Sequence, residues 1–187
     1  APRHLVQALP TPVSKDLSME MLKQVDLVVV TGSQNNVRAA YTCGTPAFGV
    51  GAGNVTSLID ETADLSAAAS KIKASKTFDN ATSCSSENSL VMVEAIYNDM
   101  LGALTNVNGC LLTPQETAVL QTALWHKGHL NAAMLAKPVA VMCEVAGITR
   151  KAACEADFLM VEETGAGAEF PFSGEKMALV LTLYRAQ

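Results

Sequence analysis

The stretch that decides the fold class is Leu27-Val-Val-Val-Thr-Gly-Ser33. Its first part is continuously aliphatic and has strand length, so both faces of that strand must be covered, as in a parallel sheet between helices. Helical patterns flank it at Asp16–Gln24 and Ser33–Thr42. The neighbouring strand candidates are His4–Gln7 and Pro46–Val50. This β-α-β-α-β order predicts a parallel sheet with right-handed crossovers.

The segment Gly49-Val-Gly-Ala-Gly53 predicts a boundary between two parts of the chain. Residues 1–50 are predicted to be the tail of a larger doubly wound domain, because three strands make a poor independent domain. Residues 51–187 continue the alternation and are long enough for their own core. Strand patterns lie at 55–59, 89–93, 110–112, 158–161 and 177–184, and helical patterns lie at 64–76, 97–104, 113–125 and 138–146. The predicted fold class is therefore α/β.

The composition excludes several classes of protein. With 49% hydrophobic and 17% charged residues the chain is not disordered, and a net charge of −5 without a basic cluster argues against nucleic-acid binding. Apolar runs are too short for a membrane span, and no basic segment leads into an apolar one after Ala1, so no signal peptide is expected in this sequence. The five cysteines lack a CxxC pair and the histidines are few, so we predict no metal site and a reducing, cytoplasmic location. The missing initiator Met predicts that an N-terminal part is absent.

Among the cysteines, Cys84 is the candidate nucleophile. It lies in the polar run 77–88 between a predicted helix and a predicted strand, where backbone N–H groups can stabilise an accessible thiolate. Cys110 and Cys143 lie in apolar runs and are predicted core residues. A lone cysteine in a polar loop is more often unreactive, so the residues alone leave both interpretations open.

Three further features each allow two interpretations. Thr31-Gly32-Ser33 joins a strand to a helix, where it can bind an anion or simply cap the helix. Trp125-His-Lys-Gly-His129 is a candidate base pair or metal site, but is more simply a helix end, closed by Gly128, whose basic side chains complement the dipole. Glu175, in the loop entering the last strand, can accept a hydrogen bond from a sugar hydroxyl or be solvated.

Two long ordered motifs stand out. The first is Ser75-Lys-Thr-Phe-Asp-Asn-Ala-Thr-Ser-Cys-Ser-Ser-Glu-Asn-Ser89, and the second is Gly44-Thr-Pro-Ala-Phe-Gly-Val-Gly-Ala-Gly-Asn54. Both resemble motifs of the CoA-acylating aldehyde dehydrogenases, a branch of the aldehyde dehydrogenase superfamily that includes the aldehyde half of bifunctional aldehyde–alcohol dehydrogenases. The similarity extends from Met21 to Arg185, and within the branch it is greatest to the acylating sulfoacetaldehyde dehydrogenases.

The resemblance implies a role for each candidate. Cys84 corresponds to the catalytic thiol, Thr31-Gly32-Ser33 and Gly51 to residues bordering the nicotinamide cofactor, and Glu175 to the glutamate that holds the nicotinamide ribose. It implies that residues 51–187 form a three-layer catalytic domain, preceded by the last units of a Rossmann-like cofactor domain. It also implies a fragment that lacks most of the cofactor domain, an oxyanion-hole asparagine and the oligomerisation segment of a homo-oligomer. One departure is Ala178-Leu179, where related sequences often have Ser-Pro, which puts the strand entry near Glu175 in doubt.

The residue at position 50 bears on the reaction. Hydrolytic aldehyde dehydrogenases carry a glutamate before their glycine pair, where it activates water, and the matching residue here is Val50. We expect Val50 to be buried at the strand end. Without a base, the thiolate of coenzyme A takes the place of water. The implied reaction converts a small aldehyde to acyl-CoA with reduction of NAD or NADP, and the alternative is an inactive folded fragment or a binding module.

Overall fold

The chain divides into two compact units, Ala1–Ala52 and Gly53–Gln187, each described by itself below. The structure is a computed structural model that describes residue 2 and residues 4–187. None of the helices in this described part combines the length and the apolar character that crossing a membrane requires.

The first unit is a short parallel β-α-β arrangement preceded by a helix. Its elements are α1 (Lys15–Lys23), β1 (Val28–Thr31), α2 (Gln34–Thr42) and β2 (Ala47–Val50), with Val28 of β1 opposite Ala47 of β2. These elements confirm the predicted helices and two of the predicted strands. The predicted strand His4–Gln7 is wrong, because these residues form a turn and bends in which Leu5 and Val6 are exposed and pair with no strand.

The sheet of the first unit is covered on one face only. Val28 is buried on the side where α2 packs through Val37 and Ala40, whereas Val29 on the other face is 72% exposed. The expectation that both faces are covered is therefore wrong for this unit. Val50 is 56% exposed, so the expectation that it is buried is also wrong. The physical reason is that α2 packs against one face of this two-stranded sheet, and the other face stays exposed in the described part of the first unit.

The second unit is built around a five-stranded parallel sheet with the order β3-β4-β9-β8-β5. Its strands are β3 (Val55–Ile59), β4 (Glu87–Val93), β5 (Gly109–Leu111), β8 (Phe158–Glu162) and β9 (Val180–Ala186). Its helices are α3 (Leu65–Thr77), α4 (Tyr97–Asn106), α5 (Pro114–Leu124), α6 (Val139–Ala146) and α7 (Lys151–Cys154). The central strands β8 and β9 are buried over 158–161 and 180–183, as continuous apolar runs between helices require. The α/β fold class is confirmed.

The helix starts follow from side-chain caps that the sequence predicted. Asp64 accepts a hydrogen bond from the N–H of Ala67 at the start of α3 (3.0 Å). At the start of α5, Thr113 and Glu116 form a capping box, in which each side chain accepts a hydrogen bond from the other's backbone N–H. These bonds satisfy N–H groups that have no partner within the helix.

The segment after α5 differs from the prediction. The helix ends at Leu124, and the next residues form an antiparallel hairpin of β6 (Trp125–His126) and β7 (His129–Leu130). Lys127 and Gly128 at its tip both have positive φ, 51° and 77°, which is the conformation that two-residue hairpin turns need. The interpretation of these residues as a helix C-terminus is therefore wrong, because the Lys-Gly pair makes a hairpin turn instead of a helix stop.

A bidentate ion pair connects the elements at the β5 side of the sheet. Arg150 donates to both carboxylate oxygens of Glu116, at 2.8 and 2.7 Å, and to the carbonyl oxygen of Leu111 at 2.9 Å. The hydrogen bonds from Arg150 lower the pKa of Glu116 to about 2, against the opposing effect of burial.

We predict that Glu116→Gln lowers the free energy of unfolding at pH 7 by about 1–2 kcal/mol. The expected loss is this small because Arg150 is partly exposed, and solvent therefore screens the ion pair. Because the folded-state pKa of Glu116 is depressed, its contribution is present above the unfolded value of 4.5 and is lost as the pH falls towards about 2. Urea unfolding from pH 7 to pH 2 should therefore show wild type and variant converging. Glu144→Gln, at an exposed position of α6, is the control. A stability difference that stays constant with pH would contradict the prediction.

Candidate functional site

Three loops meet at one edge of the five-stranded sheet. β3, β4 and β9 are adjacent and parallel, so the loops that enter them lie together at their amino ends. Gly53 and Asn54 precede β3, Cys84 precedes β4, and Glu175 precedes β9. Residues of all three loops line one small cavity of about 10 Å³, roughly the space of a single water molecule.

Cys84 lies at the tip of a tight turn. The turn is closed by the N–H of Ser86, which donates to the carbonyl oxygen of Ser83 (3.1 Å), and the hydroxyls of Ser83 and Ser85 are 2.9 Å apart. Cys84 is the one exposed cysteine among the five, while Cys110 and Cys143 are buried as predicted. The turn therefore presents this thiol, unlike the others, to an incoming reactant.

The chain reaches this turn through an unusual backbone. Asp79, Asn80 and Ala81 have φ values of 48°, 51° and 63°, in the left-handed region that costs a residue with a side chain about 1–2 kcal/mol. The hydroxyl of Thr82 donates to the Asp79 carboxylate at 2.7 Å and so helps to hold the segment. This conformation reverses the chain between α3 and the Cys84 turn.

Gly53 lets the Cys84 turn and the Glu175 loop come close together. A Cβ atom at Gly53 would lie 3.1 Å from the carbonyl oxygen of Cys84 and 3.7 Å from Oε1 of Glu175. A side chain at this position would crowd both loops. The structure thus brings Cys84 and Glu175, which are far apart in sequence, to the same site, with the half-buried Glu175 carboxylate facing the cavity.

An amide network fixes the loops against each other. Asn88, buried at the start of β4, donates from Nδ2 to Oδ1 of Asn54 (2.7 Å) and to the carbonyl oxygen of Gly174. Asn54 donates in turn to the carbonyl oxygen of Ser173 at 2.8 Å. One buried asparagine therefore links the loops that enter β3 and β9 to β4.

Lys176 is a second link and is completely buried. Its amine donates to the carbonyl oxygens of Phe172 (2.6 Å) and Asn88 (3.1 Å) and to the hydroxyl of Thr182 (3.0 Å). Burial and the nearby charge of Lys76 lower the pKa of Lys176, whereas the surrounding carbonyl oxygens favour its ammonium form. These bonds hold the Glu175 loop in place against β4 and β9.

The sequence did not indicate these linking roles of Asn88 and Lys176. Lysine is expected at the surface, and only the place of Lys176 directly after Glu175 in the chain offered a signal.

The remaining predicted site residues lie in the first unit, at the carboxyl edge of its sheet. Thr31 ends β1, and Gly51 follows the end of β2. Gly32 has a φ of 129°, which residues with a side chain rarely adopt, and its N–H donates to the carbonyl oxygen of Val50 (3.2 Å). Ser33 caps α2 by accepting from the N–H of Asn36 (3.3 Å). The capping interpretation of Ser33 is confirmed, and capping does not prevent a ligand from approaching Gly32.

Within residues 2 and 4–187, no cluster of histidine, cysteine, aspartate and glutamate could hold a metal ion. His126 and His129 lie opposite each other on the β6–β7 hairpin.

Comparison with known proteins identifies relatives of the whole chain. No protein-family model matches it. It is 58% identical over 185 residues to a sulfoacetaldehyde dehydrogenase (acylating) of Cupriavidus necator, covering 99% of this chain and 38% of the relative. It is 42% identical over 193 residues to an enzyme of the same name from Bilophila wadsworthia, covering 100% of this chain and 41% of that relative. The chain is homologous to the acylating aldehyde dehydrogenases. It spans about two fifths of the length of these relatives.

Solved structures agree with this assignment. An acetylating aldehyde dehydrogenase of Geobacillus thermoglucosidasius matches with a TM-score of 0.87 and 35% identity, over 92% of this chain and 38% of that one. An engineered glycolyl-CoA reductase with bound NADP+ matches with a TM-score of 0.82 and 27% identity, over 93% and 40% of the two chains. A Rhodopseudomonas palustris propionaldehyde dehydrogenase with bound CoA and an acylated cysteine matches with a TM-score of 0.80 and 25% identity, also over 93% and 40%.

We predict that Lys176→Met destabilises the second unit by about 2–4 kcal/mol, because the Asn88 carbonyl oxygen and the Thr182 hydroxyl would lose their buried amine donor, and the Phe172 carbonyl oxygen would keep only the hydrogen bond from Thr182. Chemical denaturation of the purified chain measures this loss. Lys137→Met, at an exposed position, is the matched control and should leave stability nearly unchanged. Equal stability of the Lys176→Met and Lys137→Met variants would show that Lys176 does not hold the loop.

Proposed function

We propose that a protein containing this chain oxidises an aldehyde to an acyl-CoA, with Cys84 as the nucleophile. The observation that carries the proposal is the exposure of Cys84 at the tip of a turn, beside the Glu175 carboxylate. Homology to acylating aldehyde dehydrogenases over nearly the whole chain supports it. An acylated cysteine is recorded for one of the structural relatives, which is the intermediate that this role requires.

The chemistry assigned to Cys84 has two halves. In the first, the Cys84 thiolate attacks the carbonyl carbon of the aldehyde, a C–S bond forms, and the carbonyl oxygen becomes an oxyanion near the Cys84 backbone N–H. NAD+ or NADP+, when bound, would supply the hydride acceptor, so that loss of the hydride from that carbon and collapse of the oxyanion would leave a thioester on Cys84. In the second half, the thiolate of coenzyme A attacks the thioester carbon, and Cys84 leaves as a thiolate that is ready for another turnover.

We propose that Glu175, Gly51 and Thr31-Gly32-Ser33 contact the nicotinamide cofactor. The Glu175 carboxylate makes no hydrogen bond or ion pair within the part of the chain that the structure describes, so it is free to accept one from a ribose hydroxyl. In the first unit, Gly32 leaves open the approach to the amino end of α2, where N–H groups and the helix dipole favour a phosphate. These residues suit either NAD or NADP.

The proposed substrate is a short aldehyde, with sulfoacetaldehyde as the first choice on the names of the two relatives. A cleft of about 670 Å³ next to the cavity is large enough for such a molecule. Asn54, Trp125 and Ser173 are among the residues that line it. We further propose that the whole protein is a homo-oligomer. The five free thiols of this chain favour a reducing compartment such as the cytoplasm.

The rival function is a binding module without activity. A direct test uses the chain itself and a chimera in which its 187 residues replace the matching segment of the Cupriavidus necator relative. Each is mixed with NAD+, CoA and sulfoacetaldehyde, and NADH absorbance is followed. We expect turnover in the chimera. A folded chimera without turnover would favour the binding module.

In that chimera, replacing the five cysteines of this chain singly with serine should abolish acyl-CoA formation at Cys84 alone. Serine is far less nucleophilic, and Cys84 is the one thiol presented on a turn. Liquid chromatography of the acyl-CoA product measures the effect, and the other four variants are the controls. A Cys84→Ser enzyme with a normal rate would rule out the assignment.

Val50→Glu tests why coenzyme A is the acceptor. If the missing carboxylate keeps water from reacting, the new glutamate should raise the ratio of free acid to acyl-CoA. The rise should be well below the roughly 10²–10⁴-fold that a well-placed base provides, because no supporting residues orient the new group. Since Val50 is exposed, the variant should fold normally. Val50→Gln is the control, and an unchanged product ratio at every pH would mean that the acceptor is chosen by another feature.

A further inference from the structure

A second buried lysine lies beside the candidate nucleophile. Lys76, in the last turn of α3, is only 2% exposed and lines the same cavity as Cys84 and Glu175. Lys176 uses its amine to bind carbonyl oxygens and a hydroxyl, whereas no hydrogen bond or ion pair is found for the Lys76 amine among the described residues. A buried ammonium without a partner is costly, so its place at this cavity calls for a reason other than stability.

The charge of Glu87 favours retention of the Lys76 proton at neutral pH, whereas the like charge of Lys176 opposes it. The titratable groups that face it are Glu87 of β4, Lys176 of the loop before β9, and the cavity residues Cys84 and Glu175. Burial lowers the pKa of Lys76 to about 8, and the charge of Glu87 opposes that change. At pH 7 the amine is therefore still mostly an ammonium.

Glu87 is the carboxylate near Lys76, but it does not bind the Lys76 amine. Its Oε2 atom is buried and has no hydrogen-bond partner within the described residues, and no ion pair with Lys76 is formed. The ammonium is thus favoured by a nearby carboxylate while its hydrogens remain available to the cavity. Because Lys76 is buried, its charge is screened less by water than that of an exposed lysine.

We propose that Lys76 is a positioning residue that holds Cys84 as the thiolate, through the positive charge that it directs into their shared cavity. The step is a simple loss of the thiol proton: the S–H bond of Cys84 breaks, the proton goes to water, and the ammonium stabilises the sulfur anion. Lys176 cannot take this role, because its amine is already bound to the loop. This inference rests on the proposed function of Cys84 and adds the group that prepares it for attack.

The test measures thiol reactivity in the chain itself and needs neither cofactor nor substrate. The second-order rate of Cys84 alkylation by iodoacetamide is determined from pH 6 to pH 10, with peptide mapping to separate the cysteines. K76M should lower the rate at pH 7 about tenfold, and the difference should close near pH 10, where a thiol ionises unaided. K71M, which removes an exposed lysine from the same helix, should react like the wild type. K76R retains the charge and should stay within about threefold of the wild type.

Two results would overturn the inference. One is a K76M rate equal to that of K71M at every pH, and the other is a K76M rate lowered by the same factor at every pH, which would indicate a change of packing. The Cys84→Ser chimera keeps the two proposals separate. If that variant loses acyl transfer while K76M alkylates normally, the inference about Lys76 fails and the function of Cys84 stands. If Cys84→Ser retains acyl transfer, the proposed function itself fails.

Discussion

The parallel alignment of β3, β4 and β9 is the constraint on which the site depends. Because all three strands run the same way, the loops that enter them have to meet at one edge, and Cys84 and Glu175 become neighbours despite their distance in sequence. Buried polar side chains then fix the positions of these loops relative to one another. Asn88 and Lys176 bind backbone carbonyl oxygens of the loop before β9, so the position of Glu175 is set from inside the sheet.

The exposure of Cys84 and the burial of the other polar groups have the same origin. A turn at the amino end of β4 directs the thiol outwards, while the residues that follow it enter the sheet and are enclosed at once. The thiol thus lies on a tight turn that leads directly into β4. Such a placement limits the motion of a nucleophile, and the benefit of a well-oriented reactant is large.

The sequence predicted the fold class and most elements because those depend on local patterns. The capping box at Thr113 and the aliphatic run at β8 are readable without knowledge of neighbours. The strand at His4–Gln7 failed because a short apolar stretch needs a partner, and the helix stop at Gly128 failed because Lys127-Gly128 forms a hairpin turn. The polar loop and the motif predicted Cys84 as the nucleophile, and the structure shows its thiol exposed. Lys76 and Asn88 were missed because their burial depends on contacts between distant strands, which no local pattern records.

The candidate site lies at the amino ends of the strands, so the opposite edge of the sheet, at their carboxyl ends, does not form part of it. In most open α/β sheets the carboxyl ends of the strands carry the ligand, so loops there are constrained by chemistry. In the second unit those ends lead into α4 and α5, and into the loop after β8, without contributing to the Cys84 cavity. Insertions and changes of loop length on that edge can therefore accumulate during divergence without disturbing the nucleophile. The sheet thus has two ends that can vary independently, one of which carries Cys84 and Glu175.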